Sequence, residues 1–324
     1  MRRLACSLAY SLGLALAVAI ATGAPAQAMD WPTKPIHLIV PFAPGGAADV
    51  WARILGEHLQ TALKQSVVIE NRGGAGGTVG SAQVARAEPD GYTLLMGGLA
   101  SQVVAPAINA NPGYDALADF TYVAYIGGPP IALVVKPSSE FKSLSDVIGA
   151  AKAGKLSGYA SSGVGTLGHL VMEYLAKRQG LHLNHIPYNT AAFADIIAGR
   201  VPVGAFTWSA VLGQARGGTL RPIAITTERR LAEFPDLPTF KELGYDLVAG
   251  TWFALLGPKG MPADVTQRLN REIVAIMTLP DVRQKLAQDA FDAKPMTPQQ
   301  LTAFMTSETA RWTPIAQQAG MKKP

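Results

Sequence analysis

Residues 36–63 run from an apolar strand through a glycine turn into an amphipathic helix, and residues 158–175 repeat that plan. In the first unit, IHLIVPFAPGGAAD, residues Ile36, Leu38, Ile39 and Val40 read as a buried strand. Val50, Ile54, Leu55, Leu59 and Leu63 then recur at helical spacing. Gly45 and Gly46 between them allow a turn closed to residues with a Cβ. In the second unit GYASS leads into GVGTLG and then HLVMEYL. The first turn of a helix leaves backbone N–H groups without intrahelical acceptors, so each unit is a seat for a carboxylate or phosphate. Either unit alone also fits ordinary α/β connectivity, but one chain here offers two facing candidates.

The first 28 residues read as a secretory signal: Arg2 and Arg3 form a basic start, Leu12 to Ile20 an apolar stretch, and Ala26-Gln27-Ala28 a small-x-small cleavage site. The apolar stretch is short of a membrane span and is broken by Gly23 and Pro25. Cys6 lies before that stretch, on the wrong side for lipid attachment, and leaves with the signal. The expected mature chain, from Met29, therefore has neither a disulfide nor a thiol nucleophile and depends on its core. Removing Arg2 and Arg3 lowers the formal charge from +5 to +3, weak evidence for an anionic ligand. No run of Lys and Arg interleaved with aromatics appears, which disfavours nucleic acid.

Apolar runs at 36–41, 66–70, 92–96, 122–126, 131–136, 183–187, 201–206, 221–226 and 251–256 alternate with helical stretches, which predicts an α/β chain with largely parallel sheets. Ser143 with Asp146 resembles a capping box, Gly180 stops one helix, and Thr297-Pro298 opens the last. Gly127-Gly128-Pro129-Pro130 and Ala249-Gly250-Thr251 are candidate crossings between two domains. They make residues 29–129 plus 251–324 one lobe and 130–250 the other, with 1–28 as signal peptide, so that a hinge could close on a ligand held between the two turns.

Gly163, Gly165 and Gly168 match the dinucleotide pattern GxGxxG, yet the following strand, LNHIPYN, ends in Tyr188 and Asn189 where an acidic residue should hold the ribose. Ser161, Ser162 and Thr166 supply neutral hydroxyls, as anion donors or as helix caps. Asp49 either caps the first helix or accepts from a ligand hydroxyl or ordered water. GGAGG at 73–77 serves close backbone approach or plain flexibility, and no Lys-Ser/Thr follows to complete a Walker loop. His182 and His185 fall on opposite faces of their strand, so no metal site and no cofactor is expected. His169 reads first as a packed or capping residue. No G-x-S-x-G turn offers a serine nucleophile. Phe42, Tyr188, Phe193, Trp208 and Trp252 are core or cleft residues.

Taken in order, the segments WPTKPIHLIVPFAPGGAAD, VVIENRGGAGGTVGSAQVARAEPDGYTLL, YASSGVGTLGHL, HIPYNTAAFADIIAGRV, LRPIAITTERR, FPDLPTFKELG and WFALLGPKGMP resemble the Bug family, periplasmic solute receptors of tripartite tricarboxylate transporters. The resemblance spans essentially the whole expected mature chain. It implies a two-lobed periplasmic binding fold, type II-like, closing on a small carboxylate. It implies first-lobe contacts from Phe42, Ala43, Gly45, Gly46 and Asp49, and second-lobe contacts from Ser161, Ser162, Gly163, Gly165 and Thr166. Ser101, after the strand YTLLMGG, is the expected further contact, with Tyr188 and Asn189 beside the second loop. Integral membrane permease subunits are the implied partner, and a monomer is the expected state.

The chain departs from the family pattern in its second lobe. Asn189 and Thr190 stand where a basic residue and Gly are frequent, Phe193 where Pro is frequent, and Phe206 where Asp is common, with Trp208 close by. A ligand with one carboxylate and an apolar or aromatic body is therefore expected in place of citrate. Two alternatives stand beside a transport receptor. One is a ligand-loaded partner of a sensor kinase, and the other an exported enzyme with His169 or Asp49 as base.

Overall fold

The computed structural model describes residues 30–188, 192–291 and 293–319. The expected signal peptide and its expected cleavage site therefore lie outside the described residues, as does Asn189. Asp30–Thr33 belong to a short unit of their own, with a cis Trp31–Pro32 bond, and the chain from Lys34 onward forms one compact unit.

That larger unit is built on two five-stranded sheets. The first takes β1 (Ile36–Val40), β2 (Val67–Asn71), β3 (Thr93–Gly98), β4 (Phe120–Gly127) and β10 (Phe253–Pro258), in the order β2-β1-β3-β10-β4. The second takes β5 (Ile131–Val135), β6 (Gly158–Ser161), β7 (Asn184–Pro187), β8 (Gly204–Thr207) and β9 (Arg221–Ile225), in the order β7-β6-β8-β5-β9. Helices alternate with them: α1 (Ala47–Leu63), α2 (Thr78–Ala85), α3 (Ala105–Ile108), α4 (Leu144–Lys152), α5 (Leu167–Gln179), α6 (Ala192–Ile197), α7 (Trp208–Arg216), α8 (Ala263–Ile276), α9 (Pro280–Gln288) and α10 (Pro298–Gln318). No helix among the described residues is long and apolar enough to cross a membrane.

The sheets are mixed where the sequence predicts largely parallel ones. β1 pairs in parallel with β2 and β3, and β6 with β7 and β8, as strand–helix–strand units require. β10 runs antiparallel to β3 and β4, and β5 antiparallel to β8 and β9. These are the strands that enter one sheet directly from the other, so no helical crossover fixes their direction.

The predicted helix ends are observed. Ser143 accepts from the Asp146 N–H while Asp146 accepts from Ser143, Gly180 takes the left-handed conformation after α5, and Thr297 and Gln300 cap α10 reciprocally. The two sheets meet along touching backbones. A Cβ built on Gly128 would lie 1.6 Å from the Thr251 carbonyl oxygen, and the Thr251 N–H donates to the Pro129 carbonyl at 2.8 Å. One apolar cluster runs through both sheets, from Leu95 and Leu256 to Leu133 and Ala205, and takes in Met305 and Trp312 of α10. Helix α10 packs on β4 and also reaches α5, where Lys177 donates to Gln318 at 2.7 Å.

Candidate functional site

The first glycine turn is clasped from below. Buried Asp49, in the first turn of α1, accepts from the Gly45 N–H at 2.9 Å, from Asn71 Nδ2 at 2.9 Å and from Arg53 Nη2 at 2.9 Å. The Arg53 guanidinium, with the Gly45 and Asn71 donors, outweighs burial and holds the Asp49 carboxyl down to about 2. Asp49 thus shapes the loop and consumes one of its N–H donors. Gly45 needs its glycine because φ is +83°, whereas Gly46 precedes the helix in an extended conformation that any residue adopts. The expectation that both positions are closed to a Cβ holds at Gly45 alone.

Phe42 projects from this turn into a cavity of about 350 Å³. The loop GGAGG forms another wall, and Gly74, Ala75, Gly76 and Gly77 all have positive φ. A Cβ on Gly77 would stand 2.8 Å from Ser101 Cβ and 3.3 Å from Phe42 Cζ, so close approach is what these glycines provide. The far wall is a π-helical turn, Ala100–Val104, continuing into α3 with Ala105, Ile108 and Asn109.

The second glycine turn closes the same cavity with Val164, Gly165 and Thr166. Gly165 has φ +79°, and a Cβ there would lie 3.1 Å from Val104 Cγ1, so the two sheets' loops meet at this point. A smaller adjoining cavity of about 140 Å³ is lined by Ser162, Gly165 and Thr166 together with Ala100, Phe206 and Thr207. Among the described residues no Lys or Arg lines either cavity. Thr166 occupies the N-cap position of α5, yet its hydroxyl makes no capping bond and donates to the Gly163 carbonyl at 2.9 Å.

Behind this turn lies a histidine pair. His169 and His185 stack with ring centroids 3.6 Å apart. The Gly165 N–H donates to His169 Nδ1 at 3.3 Å, which assigns the proton of neutral His169 to Nε2, 3.7 Å from Glu173 Oε1. His185 Nε2 meets Ser161 Oγ at 2.7 Å, and Tyr159 donates to Glu173 at 2.7 Å. Burial pushes His169 down to about 3, helped by its neighbour, and burial pushes His185 down to about 4.

The structure thus brings Phe42, Ser162, Gly165 and Thr166 onto the cavity walls, with exposed Ala43, Gly45 and Gly46 nearby in the first turn and Gly163 half-buried in the second. Asp49 and Ser161 sit beneath the loops, bonded to them. Ser101 is not on either wall. It is fully buried, its Oγ accepting from the Gly98 N–H at 3.2 Å, because the π-helical turn presents Ala100 to the cavity instead. Tyr188 lines neither cavity, since its hydroxyl is turned to Asp195 at 2.5 Å. Trp208 is a core residue packed edge-on to Phe234, whereas Phe206 does reach a wall. The sequence reading missed Ala75, Gly76, Ala100, Val104 and Ile108; only the GGAGG run signalled any of them. Among the described residues no group of three His, Cys, Asp or Glu is placed to hold a metal.

Residues 51–321 match the model of the tripartite tricarboxylate transporter family receptor. The chain belongs to this family. Protein BugT of Bordetella pertussis is 36% identical over 318 residues, covering 96% of this chain and 97% of that protein. Among solved structures, R. palustris Rpa4515 with adipate has 31% identity and a TM-score of 0.77, covering 90% of this chain and 98% of that one. The periplasmic binding protein BugD has 30% identity and a TM-score of 0.74, covering 91% of this chain and 100% of its own. The two-lobed α/β architecture is therefore that of a periplasmic solute-binding receptor.

Proposed function

We propose that the protein, exported and cleaved after Ala28, captures a small carboxylate in the periplasm between its two glycine turns and delivers it to integral membrane permease subunits. Lobes at 29–129 plus 251–324 and at 130–250 close on the ligand without turnover. The Ser162 hydroxyl, the Thr166 hydroxyl once turned from the Gly163 carbonyl, and the N–H groups that make no bond within the two turns hold the carboxylate, while Phe42, Val104, Ile108 and Phe206 cover an apolar or aromatic body. The observation that carries this is the wall chemistry: neutral donors and apolar side chains converge on the cavities, and among the described residues no Lys or Arg lines them. A tricarboxylate in that setting would leave charges without partners. The relative solved with adipate supports the carboxylate class.

The test is native mass spectrometry of the protein as purified, followed by thermal shift against aliphatic, hydroxy and aromatic carboxylates. A one-to-one complex and a selective rise in melting temperature with an apolar monocarboxylate are expected. Citrate as the tightest of the panel would overturn the ligand assignment, and turnover of the bound acid would overturn the receptor role. Thr166→Val should weaken binding by about 1–3 kcal/mol, the cost of losing a buried donor.

A further inference from the structure

On the α10 side of the crossing segments lies a larger cavity, of about 570 Å³, that shares no lining residue with the two between the glycine turns. Its walls come from both crossings, Gly128 and Pro130 in one and Ala249 and Gly250 in the other. They also come from the segment after β9, with Thr227 and Arg229, and from α10, with Phe304, Glu308 and Arg311.

Three observations bear on what it would take. Tyr125, Phe304 and Trp252 form an aromatic wall, with Phe304 edge-on to Tyr125 at 5.1 Å and to Trp252 at 5.6 Å. Thr227 Oγ1 is buried without a hydrogen-bond partner, the state of a donor awaiting an acceptor. The lining cations are Arg229, Lys294 and Arg311; Lys294 and Arg311 are engaged, Arg311 by the Val248 carbonyl at 2.9 Å and by Glu308, Arg229 is exposed, and the lining carboxylates are engaged as well. Glu228 pairs with Lys241, and Glu308 accepts from the indole N–H groups of Trp252 at 2.8 Å and Trp312 at 3.1 Å.

We infer that this cavity is a second binding site, specific for an aromatic carboxylate whose anion meets Arg229 and Thr227 and whose ring lies on Phe304 and Trp252. Since its walls belong to both lobes and to both crossings, an occupant is linked to lobe closure, and each ligand changes the other's affinity by the same factor.

The probe is 2-naphthoate, titrated by calorimetry into the wild-type protein and into Gly45→Val. That variant strains the first turn at φ +83° and lies outside the second cavity. One naphthoate should still bind to Gly45→Val, and adding Thr227→Val with Arg229→Glu should weaken that event at least tenfold. Arg229 is exposed, so the variants should fold, and circular dichroism checks this. Loss of all naphthoate binding in Gly45→Val would overturn the second site while leaving the proposed cleft intact. Binding undiminished in the triple variant, or tighter binding of phenyltrimethylammonium, would overturn its location or its charge preference. Small-angle scattering of Gly45→Val should change on adding naphthoate, and an unchanged radius of gyration would overturn the link to closure.

Discussion

Gly128→Ala tests how tightly the two crossings are bound to each other. The added methyl would stand 1.6 Å from the Thr251 carbonyl oxygen, 2.3 Å from its carbon and 2.7 Å from Trp252 Cα, all backbone atoms with no rotamer to swing aside. Restoring ordinary contact at about 3.4 Å requires the segments to part by about 1.8 Å. That opening breaks the 2.8 Å bond from the Thr251 N–H to the Pro129 carbonyl. Overpacking costs about 1–3 kcal/mol and the lost bond about 1, giving a destabilisation of about 2–4 kcal/mol. For a chain of this size the melting temperature should fall by roughly 3–7 °C. Gly149→Ala is the control, because nothing lies within 4 Å of its Cβ and it sits inside α4. It should gain about 0.5–1 kcal/mol. The assay is thermal and urea denaturation of both variants. Gly128→Ala melting within about 1 °C of wild type would refute the claim that direct backbone contact fixes the crossings. If the segments do part, carboxylate affinity should fall as well, since the lobes are then set in a different register.

Asp49→Asn should loosen the first turn and weaken carboxylate binding about tenfold, read by calorimetry, because the charge that gathers Gly45, Asn71 and Arg53 is gone. Asp49 is held below its ordinary value, so its stabilisation is complete above about pH 4 and is lost as pH falls toward 2; denaturation of Asp49→Asn should be flatter across that window. The histidine pair has the opposite chemistry with the same sign. Both rings are held below the ordinary value, so the unfolded chain takes up protons first, and stability should fall as pH drops from about 6.5 toward 4 and then 3. His169→Phe keeps a stacked ring and should reduce that fall, at the cost of the Gly165 N–H acceptor and hence of ligand affinity. Glu308 is pushed up by burial, so its ionisation counts against the fold at neutral pH; Glu308→Gln should be at least as stable as wild type at pH 7 in urea denaturation.

Much of this architecture is legible in residue order because it is local. Alternation of apolar runs with capped helices fixes strands and helix ends, and the Ser143 and Thr297 boxes form as their spacing requires. Strand direction is not local. β5 and β10 have the composition of their parallel neighbours, and only the passage from one sheet to the other turns them antiparallel. The site divides in the same way. Phe42, Gly165 and Thr166 sit in recognisable turns, and those turns carry them to the cavity walls. Ser101 and Tyr188 follow strands just as suggestively, but a π-helical turn buries the first and Asp195 draws away the second. His169 and His185 are 16 positions apart, and only parallel pairing of β6 with β7 stacks them. Ala100, Val104 and Ile108 look like core residues because most of each is core; one exposed edge makes them a wall.

Helix α10 gives the molecule a mechanical property that two lobes on a bare hinge would lack. It is anchored on β4 through the shared apolar cluster, and its far end is tied to α5 by Lys177 and Gln318. In the closure proposed above, rotation of one lobe against the other would bend or slide this helix, so that closing would work against a spring that favours the open posture. A dye attached at exposed Gln317, beside that tie, would report the bending as an optical signal. The receptor thus carries a built-in strain gauge, suited to conversion into a carboxylate sensor without altering the ligand seat.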